Sequence, residues 1–380
     1  MKFLLVAVNA KYIHSNPAIY SLRAYAGQEL RPHIELAKYT INQQLQDILA
    51  DIYLRRPDVI GFSCYIWNWN VIRELLDELP KILPDADIWL GGPEVTYDAP
   101  RILQMFPGLT GIMVGEGEAT FRELVQRYAD RETKACAGKA ENDFSDIAGL
   151  CLREGITMPR PLMDLSEIPF LYEDLEPFAN RIIYYESSRG CPYRCSYCLS
   201  SIDKKVRLRD IGIVKKELQF FLDHKVKQVK FVDRTFNCDH AHAMEIWQYI
   251  LEHDNGVTNF HFEISADILR AEEIELLSRF RPGLAQFEIG VQSTNEETLR
   301  AIHRSMHVQR LEKIVEAIRE GRNIHQHLDL IAGLPYEDYE SFGHSFDRVY
   351  AMKPDQLQLG FLKVLSGAPI SQQIQEYGIV

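Results

Sequence analysis

Glu186-Ser187-Ser188-Arg189-Gly190-Cys191-Pro192-Tyr193-Arg194-Cys195-Ser196-Tyr197-Cys198 is the stretch from which the rest of the sequence is read. The chain has seven cysteines, at positions 64, 136, 151, 191, 195, 198 and 238, and three of them crowd into this one segment. An odd number at uneven spacing argues against a disulfide scaffold. Soft thiolates suit iron–sulfur clusters or zinc. Zinc is typically held by four ligands arranged as C-x2-C pairs, and an ordinary four-iron cluster takes four cysteines. Here the spacing is three residues, then two, and the next cysteine, Cys238, stands far down the chain. Three thiolates can wrap one small cluster and leave one iron open.

Outward from the cysteines, an apolar run precedes them and a series of strand and helix signals follows. Strands are expected at Ile182–Ser187, Gln228–Val232, Asn259–Ile264, Ala285–Val291, Ile324–Ile331 and Gln356–Leu362. Helical patterns fall between them, as in Ile213–Leu222, Ala241–Leu251 and Leu311–Arg319. Six such units in about 190 residues suit an open, partial (β/α)6 TIM-type barrel and are too few for a closed eight-stranded one. Successive strand residues point to opposite faces, and one face is repeatedly polar: Tyr184, Glu186 and Ser188; His261, Glu263 and Ser265; Glu288, Gly290 and Gln292; His325, His327 and Asp329. A packed barrel interior is branched and apolar, so these faces predict a lumen that holds a polar ligand. Internal hydrogen-bond networks are the alternative use of such faces.

The first part of the chain alternates in the same way. Strands are expected at Lys2–Val8, His33–Tyr39, Val59–Ser63, Ile88–Leu90 and Gly111–Val114, with helices between. That is the pattern of a doubly wound parallel sheet, α/β in class, whose ligands sit beyond the carboxyl ends of the strands. The rhythm breaks between Glu132 and Asn180, which carries Pro159, Pro161, Pro169 and Pro177. There Cys151–Arg153 and Ile156–Met158, around Glu154-Gly155, read as a small hairpin. The expected organisation is a first domain over 1–131, a linker with this hairpin over 132–180, and the partial barrel over 181–380. Cys64, Cys136 and Cys151 have no partners at metal-binding spacing and read as packing residues.

C-x3-C-x2-C with an aromatic residue, Tyr197, just before the last cysteine, placed after a first barrel strand and ahead of five more βα units, resembles the radical S-adenosylmethionine superfamily. The resemblance implies a [4Fe-4S] cluster on Cys191, Cys195 and Cys198, with S-adenosylmethionine on the open iron and reductive release of a 5′-deoxyadenosyl radical. It also implies S-adenosylmethionine contacts from Tyr197, Asp233, Glu263, Gln292, Ser293, Ile331 and Gly333. Asp233 stands in Phe231-Val232-Asp233-Arg234-Thr235, which lacks the usual Gly-Gly-Glu form. An external electron donor of the flavodoxin or ferredoxin type follows from the same chemistry.

A Rossmann-like domain ahead of such a barrel resembles the cobalamin-binding branch of that superfamily, and the likeness runs over nearly the whole chain. It implies cobalamin (B12) held by His14, Ser63, Gly91, Gly92 and Glu116. His14 is the candidate cobalt ligand, although the D-x-H-x-x-G form is absent because Pro17 takes the place of the glycine. Trp67 and Trp69 are candidates to cover a corrin face or to pack in the core. No G-x-G-x-x-G follows the first strand, which disfavours a dinucleotide. Relatives of this kind often carry a further carboxyl-terminal domain, which this sequence is expected to lack.

Of the 380 residues, 46% are hydrophobic and 25% charged, an ordinary globular balance. The net charge of -12 lowers the expectation of a nucleic-acid partner. The opening apolar run is too short for a signal peptide and no run is long enough for a membrane span, so a cytoplasmic protein is expected. The function these features imply is a cobalamin-dependent radical S-adenosylmethionine enzyme, a methyltransferase acting on an unactivated carbon of a small molecule. The alternatives are a methylthiotransferase-like enzyme acting on transfer RNA without cobalamin, a cobalamin-dependent radical cyclase or rearrangement enzyme, and a non-catalytic corrinoid-binding or electron-transfer module.

Overall fold

The computed structural model describes residues 1–135 and 143–379, so Cys136 lies outside the described residues. The chain divides into two compact units, Met1–Met163 with Glu167–Arg181, and Asp164–Ser166 with Ile182–Val380.

The first unit is built on β1 (Phe3–Asn9), a strand buried over its whole length, as its unbroken apolar run requires of a central parallel strand. β2 (Ile34–Thr40) lies on one side of it and β3 (Val59–Ser63) on the other, followed by β4 (Asp87–Gly91) and β5 (Gly111–Met113), all parallel. The strand order β2-β1-β3-β4-β5 reverses direction at β1 and β3, so the crevice for a ligand lies beyond their carboxyl ends. One sheet face packs Leu4, Val6, Val8, Ile60, Phe62 and Leu90 against helices that include Leu45–Arg55 and Trp69–Ile82. The first helix, Pro17–Ala26, begins where the Asn16 side chain accepts from the Ala18 N–H and Pro17 fixes the first turn.

The hairpin differs from the expectation. β6 (Leu150–Leu152) and β7 (Gly155–Ile156) are not part of a linker; β6 pairs antiparallel with β5 and extends the sheet to seven strands. The reason is chemical. Cys151 is buried in the same core as Ile112, and the Arg153 guanidinium donates to the carbonyls of Pro107 at 2.6 Å and Leu109 at 3.0 Å. An edge of unpaired backbone is thereby covered. Cys64 is also wholly buried in this core.

The second unit carries six parallel strands in chain order: β8 (Ile183–Tyr185), then, after the short antiparallel ribbon of β9 (Ser188–Arg189) and β10 (Arg207–Leu208), β11 (Gln228–Phe231), β12 (Asn259–Ile264), β13 (Ala285–Gln292), β14 (His325–Ala332) and β15 (Gln356–Phe361). β8 and β15 are the two free edges, which makes a partial barrel. Phe231, Phe260, Phe262 and Phe287 alternate with polar residues and pack outward with Phe236 and Trp247, the latter on the helix His240–Glu252. Burying each such ring is worth about 2–3 kcal/mol, and that apolar face fixes which residues turn into the lumen. A register shift between Gly290 and Gln292 bulges β13 beside the lumen's mouth. Among the described residues no helix is long and apolar enough to cross a membrane.

Candidate functional site

The cysteine segment leaves β8 as a loop that the chain holds by backbone bonds. Gly190 has φ +98°, and a Cβ there would lie 2.4 Å from the Lys205 carbonyl oxygen, so only glycine fits. Cys191 N–H donates to the Asp203 carbonyl at 3.0 Å, Cys198 N–H to the Cys195 carbonyl at 3.1 Å, and Ser196 N–H to the Ile302 carbonyl at 2.9 Å. Cys191 and Cys195 are buried and Cys198 is half-buried. All three line one cavity of about 210 Å³, together with Tyr193, Tyr197, Arg234, Thr235, Glu263 and Gln292. Burial raises the Cys191 thiol pKa, the Thr235 hydroxyl at 3.6 Å opposes that, and the nearby Cys198 and Cys195 add to it. Among the described residues no three His, Cys, Asp or Glu side chains converge on a single-ion site. Three soft donors lining one cavity without converging on a point fit a polynuclear cluster better than one zinc ion.

The residues singled out on the barrel strands separate into two groups. Tyr197, Glu263 and Gln292 line the cavity. Asp233 does not; it is buried beneath the loop and accepts from Ser187 N–H at 3.0 Å, Ser187 Oγ at 2.6 Å and Ser188 Oγ at 2.6 Å. Burial pushes its carboxyl up to about 6, against the pull of those hydrogen bonds. These bonds turn the chain out of β8 after Tyr185, earlier than the apolar pattern indicates. Ser293 is also fully buried and donates to Glu337 Oε1 at 2.6 Å, bracing the turn after β13. Ile331 packs against the small cluster of Leu299, Ile302, Val308 and Leu334, and Tyr197 packs on the same cluster. Gly333 takes φ +87° in the turn after β14 and lies outside the cavity lining.

The cavity also contains residues that the sequence reading did not single out as ligands: Arg234, Thr235, Glu288, Arg304 and Asp329. Two of them, Glu288 and Asp329, stand on the polar faces already noted. Glu288 Oε2 meets Lys230 Nζ at 2.8 Å and His261 Nε2 at 3.0 Å. Burial would raise the Glu288 pKa, but His261 and Lys230 outweigh it and hold the carboxyl at about 2. Burial and the charges of Glu288 and Glu263 push Asp329 the other way, to about 7. Glu263 also stands at about 7, raised by burial and by Glu288 and lowered by Arg234 and Lys230. The lumen thus holds one fixed anion paired with a lysine, and two carboxyls poised between charge states. Arg304 had no local signal, because it follows Cys195 only after more than a hundred residues.

In the first unit the carboxyl ends of β1 and β3 are knitted by amides. Asn68 Nδ2 donates to the carbonyls of Val8 at 3.0 Å and Ser63 at 2.9 Å, and Asn16 Nδ2 donates to Ser63 Oγ at 2.8 Å. Asn9, the last residue of β1, is buried, and its Nδ2 has no partner among the described residues. A buried donor without an acceptor at the switch point is what a polar ligand would satisfy, so this end fits a cofactor that carries hydrogen-bond acceptors. Gly91 and Gly92 play a different part from the one their type suggests. Gly92 has φ +112°, and a Cβ there would lie 2.5 Å from the Cys64 carbonyl oxygen, so the chain's own backbone fills that space. Gly91 is the last residue of β4, and its carbonyl accepts from Cys64 N–H at 2.7 Å. Glu116 accepts from the Met163 N–H at 3.0 Å. His14 is half-buried in the loop after β1, and its carbonyl accepts from Arg181 at 3.0 Å. Trp69 packs on Phe106 in the core, whereas Trp67 is exposed and stacks on Tyr65 at 4.3 Å.

Comparison with known proteins agrees with this layout. Residues 4–125 match the family model of the B12 binding domain, and residues 185–349 match that of the radical SAM superfamily. The chain is 25% identical over 354 residues to the cobalamin-dependent radical SAM methyltransferase TokK of Streptomyces tokunonensis, across 85% of this chain and 50% of that protein. It is 26% identical over 395 residues to 2-(S-pantetheinyl)-carbapenam-3-carboxylate methyltransferase of Streptantibioticus cattleyicolor, across 94% of this chain and 55% of that protein. It therefore spans about half the length of these curated relatives. The fold is that of the radical S-adenosylmethionine methyltransferase TsrM from Kitasatospora setae, solved with cobalamin and a [4Fe-4S] cluster bound. The TM-score is 0.76 at 19% identity, over 99% of this chain and 78% of that one. With a B12 binding domain joined to a radical SAM domain carrying the three-cysteine loop, the chain belongs to the cobalamin-binding branch of the radical S-adenosylmethionine superfamily.

Proposed function

We propose that this chain is a cobalamin-dependent radical S-adenosylmethionine methyltransferase acting on an unactivated carbon of a small molecule. The observation that carries the reading is the single cavity lined by the thiols of Cys191, Cys195 and Cys198 with Glu263 and Gln292. The thiols would hold a [4Fe-4S] cluster with one iron open to the amino and carboxylate groups of S-adenosylmethionine. The bound cofactors supply the reductive cleavage and the methyl group, and the protein supplies binding and orientation. Glu263 and Asp329 offer carboxyls to hydroxyl or ammonium groups, and Arg234 offers a cation to a carboxylate. In the first unit the carboxyl ends of β1 and β3, with Asn9 and Ser63, would receive the cobalamin. Both named relatives are methyltransferases, which favours methyl transfer over cyclisation. The substrate and an electron donor of the flavodoxin or ferredoxin type belong to the same proposal.

The test is anaerobic purification, reconstitution with iron and sulfide, and addition of hydroxocobalamin, followed by absorption spectra and an assay for 5′-deoxyadenosine after reduction. Retained corrinoid, about four irons per chain and 5′-deoxyadenosine are expected. A Cys195→Ala chain should lose the cluster and the nucleoside together. No retained corrinoid removes the cobalamin assignment, and a cluster surviving in Cys195→Ala removes the ligand assignment.

A further inference from the structure

Arg304 is a cation placed against a cluster ligand. It follows the helix Glu296–Ala301, and its guanidinium makes three contacts. Nη1 donates to Tyr197 Oη at 3.2 Å and lies 3.7 Å from Cys195 Sγ, while Nη2 donates to the Gly290 carbonyl at the β13 bulge. All three partners are formally neutral when the cysteine is a thiol. Among the described residues no carboxylate forms an ion pair with Arg304, and its buried Nε has no acceptor. Removing a guanidinium from water without a counter-charge is costly. Asp267 acts on it through space without forming an ion pair, and of the groups in contact with it the Cys195 thiol is the one that becomes anionic on binding a metal.

We propose that Arg304 is a positioning residue that supplies the missing counter-charge for the cluster and, through its N–H contact with Cys195 Sγ, makes the cluster easier to reduce. The inference rests on the cluster assignment above. Three thiolates on a [4Fe-4S] core of charge 2+ give a net charge of −1. One electron from an external low-potential donor makes it −2, with no bond made or broken. A fixed cation and an N–H aimed at a ligand sulfur stabilise the more negative state, and hydrogen bonds to the sulfurs are among the factors that set such potentials. The contacts to Tyr197 and Gly290 keep the guanidinium from turning away. They also tie the aromatic residue of the cysteine motif to the bulge that carries Gln292.

The test is a redox titration of the reconstituted chain, followed by electron paramagnetic resonance of the reduced cluster, for wild type, Arg304→Gln and Arg304→Lys. Arg304→Gln is expected to bind iron and sulfide as wild type does. At the wild-type midpoint its reduced-to-oxidised ratio should fall about tenfold, which is about 59 mV for a one-electron couple. Arg304→Lys, which keeps the charge, should recover part of that loss. A loaded Arg304→Gln cluster with an unchanged midpoint overturns the inference. If the Gln chain does not take up a cluster, wild-type chain grown with 15N-arginine is examined by pulsed resonance. A 15N coupling that disappears in Arg304→Lys supports the contact, and its absence in the wild type overturns it. A wild-type chain that holds no cluster refutes the cluster assignment itself, a result distinct from any of these.

Discussion

Asp233, buried, and Asp329, half-buried, show how two aspartates in one unit come to different uses. Asp233 spends its acceptors on Ser187 and Ser188, and so shapes the turn that presents Cys191. Asp329 keeps a carboxyl at the cavity wall, with His327 Nε2 3.1 Å away. Its pKa, raised from 3.8 to about 7, fixes the sign of a pH effect. A carboxyl that is harder to ionise in the folded chain than in the unfolded one favours folding while it stays protonated. That stability is complete below about pH 4 and is lost as pH rises through 7. Asp329→Asn should therefore flatten this part of the stability curve and raise the stability of the cofactor-free chain at pH 8 by about 1–2 kcal/mol. Urea unfolding of both chains at pH 5 and pH 8 measures it; an equal gap between them at the two pH values contradicts the assignment. Glu288 has the opposite sign. Held at about 2 from an ordinary 4.5, it contributes stability that is full above about pH 4.5 and lost as pH falls toward 2.

At the scale of elements, the cysteine loop and the β6–β7 hairpin are each fixed by a few backbone contacts. Gly190→Ala would force a Cβ into the Lys205 carbonyl at a left-handed φ, at a cost of about 2–4 kcal/mol. The expected outcome is less iron bound after reconstitution than in wild type, read by iron analysis, with the corrinoid still bound. Unchanged iron content would mean that the loop relaxes freely. In the hairpin, Arg153 binds carbonyls beyond the helix Ala99–Met105. Arg153→Ala should cost about 1–3 kcal/mol and speed hydrogen exchange at Leu150 and Thr157, whose N–H groups donate across the hairpin. Exchange rates matching wild type there would show that β6 is held by the core alone.

At the scale of the whole molecule, each unit has its own sheet and core, and the residues proposed for cobalamin and those proposed for the cluster belong to different units. The switch point belongs to Met1–Met163 and the thiols to Ile182–Val380. A chain with Cys191, Cys195 and Cys198 all changed to Ala should therefore bind no cluster yet retain hydroxocobalamin with wild-type affinity, since substitutions that share no partner act independently. Corrinoid titration followed by absorption reads the outcome, and a large loss of affinity in this chain would contradict the independence of the sites.

What was legible in the sequence is what is encoded locally. The three cysteines lie in one loop, so their spacing carries the proposed ligand set. The strands repeat every two residues, so alternation alone separated Phe260 and Phe262 from His261 and Glu263, and five parallel strands followed by six gave the two α/β units. The family resemblance drawn from these features agrees with the matched domains. Tertiary structure decided what depends on distant partners. Asp233 carries the same carboxyl as any candidate ligand, and only the approach of Ser187 and Ser188 makes it a loop anchor. The form Gly91-Gly92 suggested space for a cofactor, and only the packing of Cys64 shows that backbone already occupies it. The hairpin's own turn was visible in Glu154-Gly155, but its pairing with β5 depends on a core assembled from the whole first sheet. Arg304 reaches Cys195 across 109 residues, and its meaning comes from low-dielectric surroundings in which no carboxylate among the described residues forms an ion pair with the guanidinium. Side-chain type and local period are properties of the chain, whereas burial, charge pairing and pKa arise only when distant segments exclude water from one another.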